Sequence, residues 1–369
     1  MARIKKRADG RYQSSLTFEG KRYTVYARSL TELNEKKLER LQQLQLMSLN
    51  HQNPVLNDYY EKFKEVRRSK VKGSTLLNQA KWYKKTSSIV LDCGFTLGQL
   101  RIRDIRPADI QEVQMKLADT NLASHSVNDC MSHLSQVFNY AVRDETIEKN
   151  PCKCIENIRR TEPAARDTYH RALTKEETSA FFQSAKDSFY LNHFRMMIQT
   201  GIRIGELSAL RESDIDQKNN CIHITKTITR DEYGNYVVGD SAKTYSGKRD
   251  IPLNDVITEI IKNQRRNNKM LFGMKFCSWL FPSSNGNMLR EYTSNREIKR
   301  ISKAAGIEHF TNHAFRDTFA TRFMEQRPQD FKVLSELLGH SNTKITLDLY
   351  THVMKETREK AMKEITIAM

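Results

Sequence analysis

The chain of 369 residues carries 61 Lys and Arg against 44 Asp and Glu, a formal charge of +17 with a pI near 9.5, which points to a polyanion as partner. No apolar run is long enough to span a bilayer, and the basic N-terminus has no apolar core behind it, so a soluble cytoplasmic protein without membrane partner or signal peptide is expected. Six scattered cysteines fit a reducing compartment, and the length allows two or three domains.

Basic residues exceed acidic ones throughout: eleven against five in residues 1–50, eighteen against fourteen in 51–165, and thirty-two against twenty-five in 166–369. That spread suits a protein wrapped around a duplex better than one with a single basic tail, and predicts strongly salt-dependent binding.

Residues 11–28 read as a hairpin, two runs rich in aromatic and β-branched residues meeting at Glu19-Gly20. Ser29 and Glu32 form a capping box for a helix carrying Leu30, Leu33, Leu41 and Leu44. A sheet of this kind can enter the major groove, which makes Arg11, Lys21, Arg22 and Arg28 candidate DNA contacts. A protein-interaction hairpin is the competing reading.

Residues 53–155 look all-helical. Pro54 precedes a segment with Tyr59, Tyr60, Phe63 and Val66, and Lys62, Lys64, Arg67, Arg68, Lys70 and Lys72 make a basic run before a break at Gly73-Ser74. These six are further candidates for phosphate contact, against the alternative of a merely solvated face. Pro107 opens the next helix, Ser124 or Ser126 the one with Val127, Leu134, Val137 and Phe138, and Asn150-Pro151 closes the segment. Residues 156–170 read as a linker long enough to let two domains close on a duplex.

From 171 to 369 the pattern is mainly helical, beginning at the capping box of Leu173-Thr174-Lys175-Glu176-Glu177. Strands are expected at Cys221–Thr225, Tyr236–Val238 and Arg249–Leu253, and residues 354–369 can form a final amphipathic helix. A helix through Asn312 to Phe323 would place His313 and Arg316 on one face. Leu334, Leu337 and Leu338 make an apolar stripe, Gly339 a stop that leaves His340 on the following turn, and Ser341 a cap for a helix ending near Tyr350.

Arg203, Lys243, His313, Arg316, His340 and Tyr350 are the parts needed to attack a phosphodiester without a metal. Forked guanidiniums match the charge gathering on the non-bridging oxygens. A phenol with a pKa near 10 needs neighbouring positive charge or a base to act as nucleophile. A lysine beside two arginines is suited to protonating the leaving 5′-oxygen. Taken singly, each has a structural reading: Arg203 and Arg316 as ion-pair partners of Glu206 and Asp317, Lys243 as a solvated or backbone-contacting residue beside Lys248 and Arg249, His313 as a half-buried helix residue, His340 as a helix-end residue, and Tyr350 as a core tyrosine. Their joint occurrence in this order is what gives them weight.

The paired His-x-x-Arg and Leu-Gly-His-Ser…Tyr segments at this spacing resemble the tyrosine recombinases of the phage-integrase family, across the whole C-terminal half. The resemblance implies an α+β, multidomain chain: a small N-terminal β-sheet/helix arm-binding domain (1–50), an all-helical core-binding domain (53–155), the linker (156–170), and a mainly helical catalytic domain with a small antiparallel sheet and a tail helix (171–369). It implies a 3′-phosphotyrosyl intermediate with Tyr350 as nucleophile, Arg203 and Arg316 as phosphate clamp, and Lys243, His313 and His340 in support, without ATP or metal. Implied partners are double-stranded DNA with core and arm-type sites, a homotetramer on DNA, and a host bending factor and directionality factor. A chromosome-dimer resolvase usually lacks residues like 1–50, a type IB topoisomerase pairs no two sites, and a non-catalytic regulator need not keep all six residues. No metal is expected: Cys152-Lys153-Cys154 is too close and isolated, and His309 and His313, with His340 or His352, lack the glutamate of His-Glu-x-x-His and sit beside Arg316.

Overall fold

A computed structural model describes residues 6, 9–18, 20–50, 53–159, 172–240, 247–273 and 278–340, with only the backbone of 45–50. The chain divides into two compact units, Met1–Arg160 and Thr161–Met369.

In the first unit β1 (Tyr12–Phe18) pairs antiparallel with β2 (Lys21–Ala27), Tyr12 opposite Ala27 and Phe18 opposite Lys21. Strand alternation gives the hairpin two faces. Leu16 and Ala27 are buried on the side that meets α1 (Leu30–Asn50), which contributes Leu33 and Leu44. Gln13, Thr17, Arg22, Thr24 and Tyr26 are exposed on the other. The expected capping box is present: Ser29 Oγ accepts the Glu32 amide at 3.1 Å, and Glu32 Oε2 accepts the Arg28 amide at 2.9 Å. Leu30, one of the four leucines expected to pack, is exposed because it occupies the first helical position, above the hairpin contact.

Four helices follow: α2 (Leu56–Arg68), α3 (Gly73–Ser87), α4 (Pro107–Ala118) and α5 (Ser124–Arg143). Their core joins Leu56, Tyr60 and Phe63 to Tyr83, Ile110, Val113, Leu134 and Phe138, with the Tyr60 and Tyr83 rings stacked at 3.5 Å. One expected boundary shifts. The break after α2 falls at Ser69–Lys72, and Gly73-Ser74 start α3, where their small side chains suit a first turn rather than a stop. α5 opens at Ser124, one of the two serines expected to start it, with Ala123 as an N-cap that makes no side-chain hydrogen bond.

The second unit is α6 (Lys175–Ser184), α7 (Leu191–Thr200), α8 (Ile204–Ala209), β3 (Ile215–Asp216), β4 (Cys221–Ile224), β5 (Lys226–Arg230), β6 (Tyr236–Asp240), β7 (Arg249–Pro252), α9 (Asp255–Phe272), α10 (Glu291–Ala304), α11 (Asn312–Gln326) and α12 (Phe331–Leu338). β3, β4 and β7 form an antiparallel sheet in that order, while β5 and β6 form a separate hairpin. Thr174 and Glu177 make the expected capping box on α6. α11 is the central helix: Ala314 and Phe315 are buried in a cluster where Phe315 meets Phe181, Phe194 and Phe310 at centroid distances of 5.4, 5.5 and 4.8 Å. Such a packed aromatic core leaves α11 little freedom, so Arg316 inherits a fixed position.

α7 ends at Gly201 in the left-handed region, φ 63°. A Cβ there would lie 2.6 Å from the Phe319 ring and 2.7 Å from a Leu338 methyl. Gly201→Ala therefore meets both a disfavoured backbone and two packed side chains, and chemical denaturation should show a loss of at least about 2 kcal/mol. A change below about 0.5 kcal/mol would show that neither constraint holds.

Candidate active site

α12 terminates as the leucine stripe predicts. Gly339 is left-handed (φ 65°), its amide donates to the Glu336 carbonyl at 2.9 Å, and the His340 amide donates to the Ser335 carbonyl at 3.0 Å. This is a Schellman ending, and it leaves the following carbonyls without intrahelical donors. Three guanidiniums take them. Arg249 Nε donates to the Leu337 carbonyl at 2.6 Å, Arg316 Nη2 to the Leu338 carbonyl at 2.6 Å, and Arg203 Nη2 makes a long contact of 3.5 Å with the Gly339 carbonyl. The helix C-terminus carries partial negative charge, so cations are stabilised there.

A buried carboxylate ties the same arginines together. Glu206, 1% exposed in α8, accepts from Arg249 Nη1 and Nη2 at 3.1 and 2.8 Å and from Arg203 Nη1 at 2.9 Å, and it also takes the Arg203 amide at 3.1 Å. Burial opposes its ionisation, but the hydrogen bonds and charge of Arg249, then the charge of Arg203, outweigh that and hold the carboxyl below its ordinary range. Arg316 Nη1 donates to the Gly201 carbonyl at 2.9 Å, so Arg316 bridges the ends of α7 and α12. Burial, then Arg203 and Arg249, lowers its pKa to about 9, which still leaves it cationic at neutral pH.

His340 is half-buried beside this cluster. Desolvation first, then Arg316, Arg203, Arg249 and His313, pushes its pKa down to about 4, so the imidazole is neutral at pH 7 and presents one N–H donor and one acceptor. His313, in the first turn of α11, is 50% exposed, with Nε2 3.7 Å from Asp317 Oδ1, too long for a hydrogen bond. Arg203 keeps 39% of its side chain accessible while Arg249 keeps 6%, so Arg203 faces outward and Arg249 supports from behind.

The structure thus brings together Arg203, Arg316 and His340, with His313 close enough to act on His340 electrostatically. Lys243 and Tyr350 lie outside the described residues, as do Ser341, the helix expected to end near Tyr350 and the tail helix at 354–369. Glu206 and Arg249 complete the cluster and were not singled out as site residues by the sequence. Their one signal was an acidic residue three positions after Arg203. The imagined helical histidine pair does not form, because α11 starts at Asn312 and leaves His309 in a turn with φ 52°.

Among the DNA-contact candidates, Arg11, Lys21, Arg22, Arg28, Lys62, Arg68, Lys70 and Lys72 are exposed. Arg22 lies on the outward hairpin face; Arg11 pairs with Asp9 at 3.0 Å and sets its guanidinium 5.9 Å from the centroid of the outward Tyr26 ring, and Lys62 pairs with Asp144 at 3.5 Å. Lys64 pairs with Glu61 and is half-buried. Arg67 is half-buried too, its guanidinium 5.9 Å from the Phe63 ring centroid, and serves packing at least in part. No described helix is long and apolar enough to cross a membrane.

The description "Phage integrase family" matches residues 171–357, more than half of the chain. A "Tyrosine recombinase XerC-like" protein of Caldanaerobacter subterraneus is 28% identical over 282 residues, covering 72% of each chain. The transposase from transposon Tn916 of Enterococcus faecalis is 26% identical over 291 residues, 73% of this chain and 68% of its own, and the ICEBs1 integrase of Bacillus subtilis 27% over 259 residues, 68% of each. Among solved structures, a Tn1549 transposon integrase in complex with a circular intermediate DNA superposes with a TM-score of 0.68 at 23% identity, over 85% of this chain and 99% of that one. A lambda integrase dimer bound to a core site gives 0.61 at 18% identity, over 94% and 93%. The shared fold, the extent of the family match and the arginine-lined end of α12 agree: the chain belongs to the phage integrase family and is a tyrosine-type site-specific recombinase, an enzyme that cleaves and rejoins DNA strands.

Proposed function

We propose that this recombinase integrates and excises a temperate phage or an integrative element, with Tyr350 attacking the scissile phosphate to form a 3′-phosphotyrosyl ester and free a 5′-hydroxyl. The observation that carries the reading is the convergence of Arg203, Arg316 and His340 on the end of α12, where two guanidiniums and a neutral imidazole meet. Arg203 and Arg316 hold the non-bridging oxygens, and His340 hydrogen-bonds the phosphate or buttresses the site. His313 assists loss of the phenolic proton, and Lys243 protonates the leaving 5′-oxygen. Attack by a 5′-hydroxyl from a partner duplex reverses the ester and joins the new strand, one strand pair at a time through a Holliday junction.

The same reading gives residues 1–50 the arm-type sites, 53–155 and 171–369 the core site on a homotetramer, and places the protein with a bacterial nucleoid. A host bending factor and a directionality factor complete the assembly. The relatives named from a transposon and from ICEBs1, together with integrases solved on DNA, support a mobile-element enzyme. A lambda integrase solved as a tetramer on a Holliday junction supports the assembly.

The test is a nicked duplex that traps cleavage. Purified protein in EDTA should form a covalent, denaturation-resistant adduct, and the reading fails if no core-site duplex gives one or if EDTA blocks it. Within that assay Arg316→Lys keeps a cation but loses the fork that spans the Gly201 and Leu338 carbonyls. Cleavage should drop by about 10²–10³-fold with DNA binding retained; undiminished cleavage would remove Arg316 from the clamp.

A further inference from the structure

One face of the three-stranded sheet gathers chemistry that strand cleavage does not use. The register sets Asp216 on β3 opposite Cys221 on β4, and Asp250 on β7 opposite His223 on β4. Cys221 and His223 are two residues apart on one strand, so all four side chains project from the same face. His223 Nδ1 lies 2.6 Å from Asp250 Oδ1, which accepts from it, and Nε2 lies 3.4 Å from Asp216 Oδ2; loss of the Nε2 proton leaves its lone pair facing Asp216. That second distance is long for a direct hydrogen bond, yet it matches the span of about 3.3 Å between two ligands held tetrahedrally at about 2.0 Å from one ion. Cys221 Sγ completes a triangle in which all ligand atoms lie within 4.8 Å of one another. Binding an ion would draw Cys221 Sγ in by roughly 1 Å to reach tetrahedral sulfur spacing.

Asp216 is already held for this task. Its Oδ1 accepts the Lys218 and Asn219 amides at 2.9 Å each, and Asn219 Nδ2 donates to Oδ2 at 2.7 Å. We propose that Asp216 Oδ2, Cys221 Sγ and His223 Nε2 form a binding site for a divalent transition metal of the zinc class, with water as fourth ligand and Asp250 orienting the imidazole from behind. The donor set selects the metal: thiolate and imidazole favour zinc-like ions over magnesium or calcium, which take oxygen ligands. A carboxylate behind a ligating imidazole fixes its tautomer and raises its basicity. Two carboxylates on one small face of a chain with net charge +17 form a local anionic spot that a dication neutralises. Binding releases the Cys221 thiol proton to solvent, and no electron is transferred.

The role is to steady the sheet. Asp250 and Arg249 are neighbours on β7 that face opposite ways, Asp250 toward His223 and Arg249 toward Glu206 and the end of α12. An ion joining β3 to β4, with His223 fixed against Asp250, braces the strand that delivers Arg249. It takes no part in the chemistry at the phosphate.

The experiment is titration of chelator-treated, full-length protein with cobalt(II), a spectroscopic stand-in for zinc, in a background where the exposed Cys93 and Cys154 are serine. The expected result is one site per chain with a Kd of about 10 µM or tighter, showing tetrahedral d–d absorption and a near-ultraviolet sulfur-to-cobalt band, both erased by one equivalent of zinc. His223→Asn and Asp216→Asn, at accessible positions, should weaken binding at least tenfold, and Asp250→Asn about tenfold. Cys221→Ser should lose the near-ultraviolet band; since Cys221 is buried, circular dichroism accompanies that variant and the two surface variants carry the decision. The proposal is overturned if wild-type protein shows no such site, or if His223→Asn and Asp216→Asn bind cobalt as tightly as wild type. None of these readings depends on recombinase activity, so a failure here leaves the strand-cleavage reading untouched.

Discussion

Tyr350→Phe protein is expected to bind a core-site duplex as tightly as wild type and to give no covalent adduct, a loss in cleavage of at least about 10⁴-fold. The substitution deletes one oxygen and keeps the ring, so the shape and charge that DNA meets are unchanged. That oxygen is a poor nucleophile by itself, since a free phenol ionises near pH 10. On the proposed reading, what makes it competent is the cationic field at the end of α12, where Arg316 stays cationic at neutral pH while burial, then Arg316 and Arg203, keep His340 neutral. In that proposal the arginines stabilise the phosphate and cannot replace a missing nucleophile. A denaturing gel of labelled nicked substrate, read beside a mobility shift for binding, separates the two steps. Covalent attachment persisting in Tyr350→Phe would move the nucleophile elsewhere, and loss of binding would make the phenol a DNA contact instead.

Local grammar carried most of the elements. The capping boxes at Ser29 and Thr174 and the glycine stop at Gly339 each depend on residues within five positions, and all three form. Strands β4, β6 and β7 were legible in the sequence, whereas β5, Lys226–Arg230, was missed despite its β-branched run Thr227-Ile228-Thr229: among the described residues it pairs only with β6, and no residue of it is fully buried. Arg203, Arg316 and His340 were legible as a set because their motifs recur in a known order. The partners of those side chains were not. Arg249 reaches Glu206 across 43 residues and the Leu337 carbonyl across 88, contacts made by tertiary packing that no local pattern encodes. A charged residue read in isolation defaults to the surface, which is why the sequence offers Glu206 only as a surface ion-pair partner of Arg203 and Arg67 as a phosphate contact.

Glu206→Ala should be the most destabilising substitution in the cluster, by about 3–5 kcal/mol in chemical denaturation, because it strands the buried Arg249 guanidinium opposite Arg203 and Arg316 with no anion between them. The pair Glu206→Leu with Arg249→Met removes both charges and should recover much of that loss, since a buried ion pair is weak net stabilisation once both halves are gone. A double variant as unstable as the single one would mean that the cost arises from cavity or helix packing and not from charge. The pH dependence offers a second reading. Glu206 has a lowered folded pKa, so its contribution is complete above its unfolded value near 4.3 and is lost as pH falls through the folded value. The buried imidazoles His133 and His193 and the half-buried His340, each depressed to about 4, act in a different window: the unfolded chain takes up their protons first, so stability falls between about pH 6.5 and 4. Glu206→Gln should therefore be less stable than wild type at neutral pH, share its slope from pH 6.5 to about 4.5, and lose less than wild type below that. Parallel curves through the whole acid range would show that Glu206 is not ionised in the folded protein, and Arg249 would then need another counter-charge to hold the end of α12.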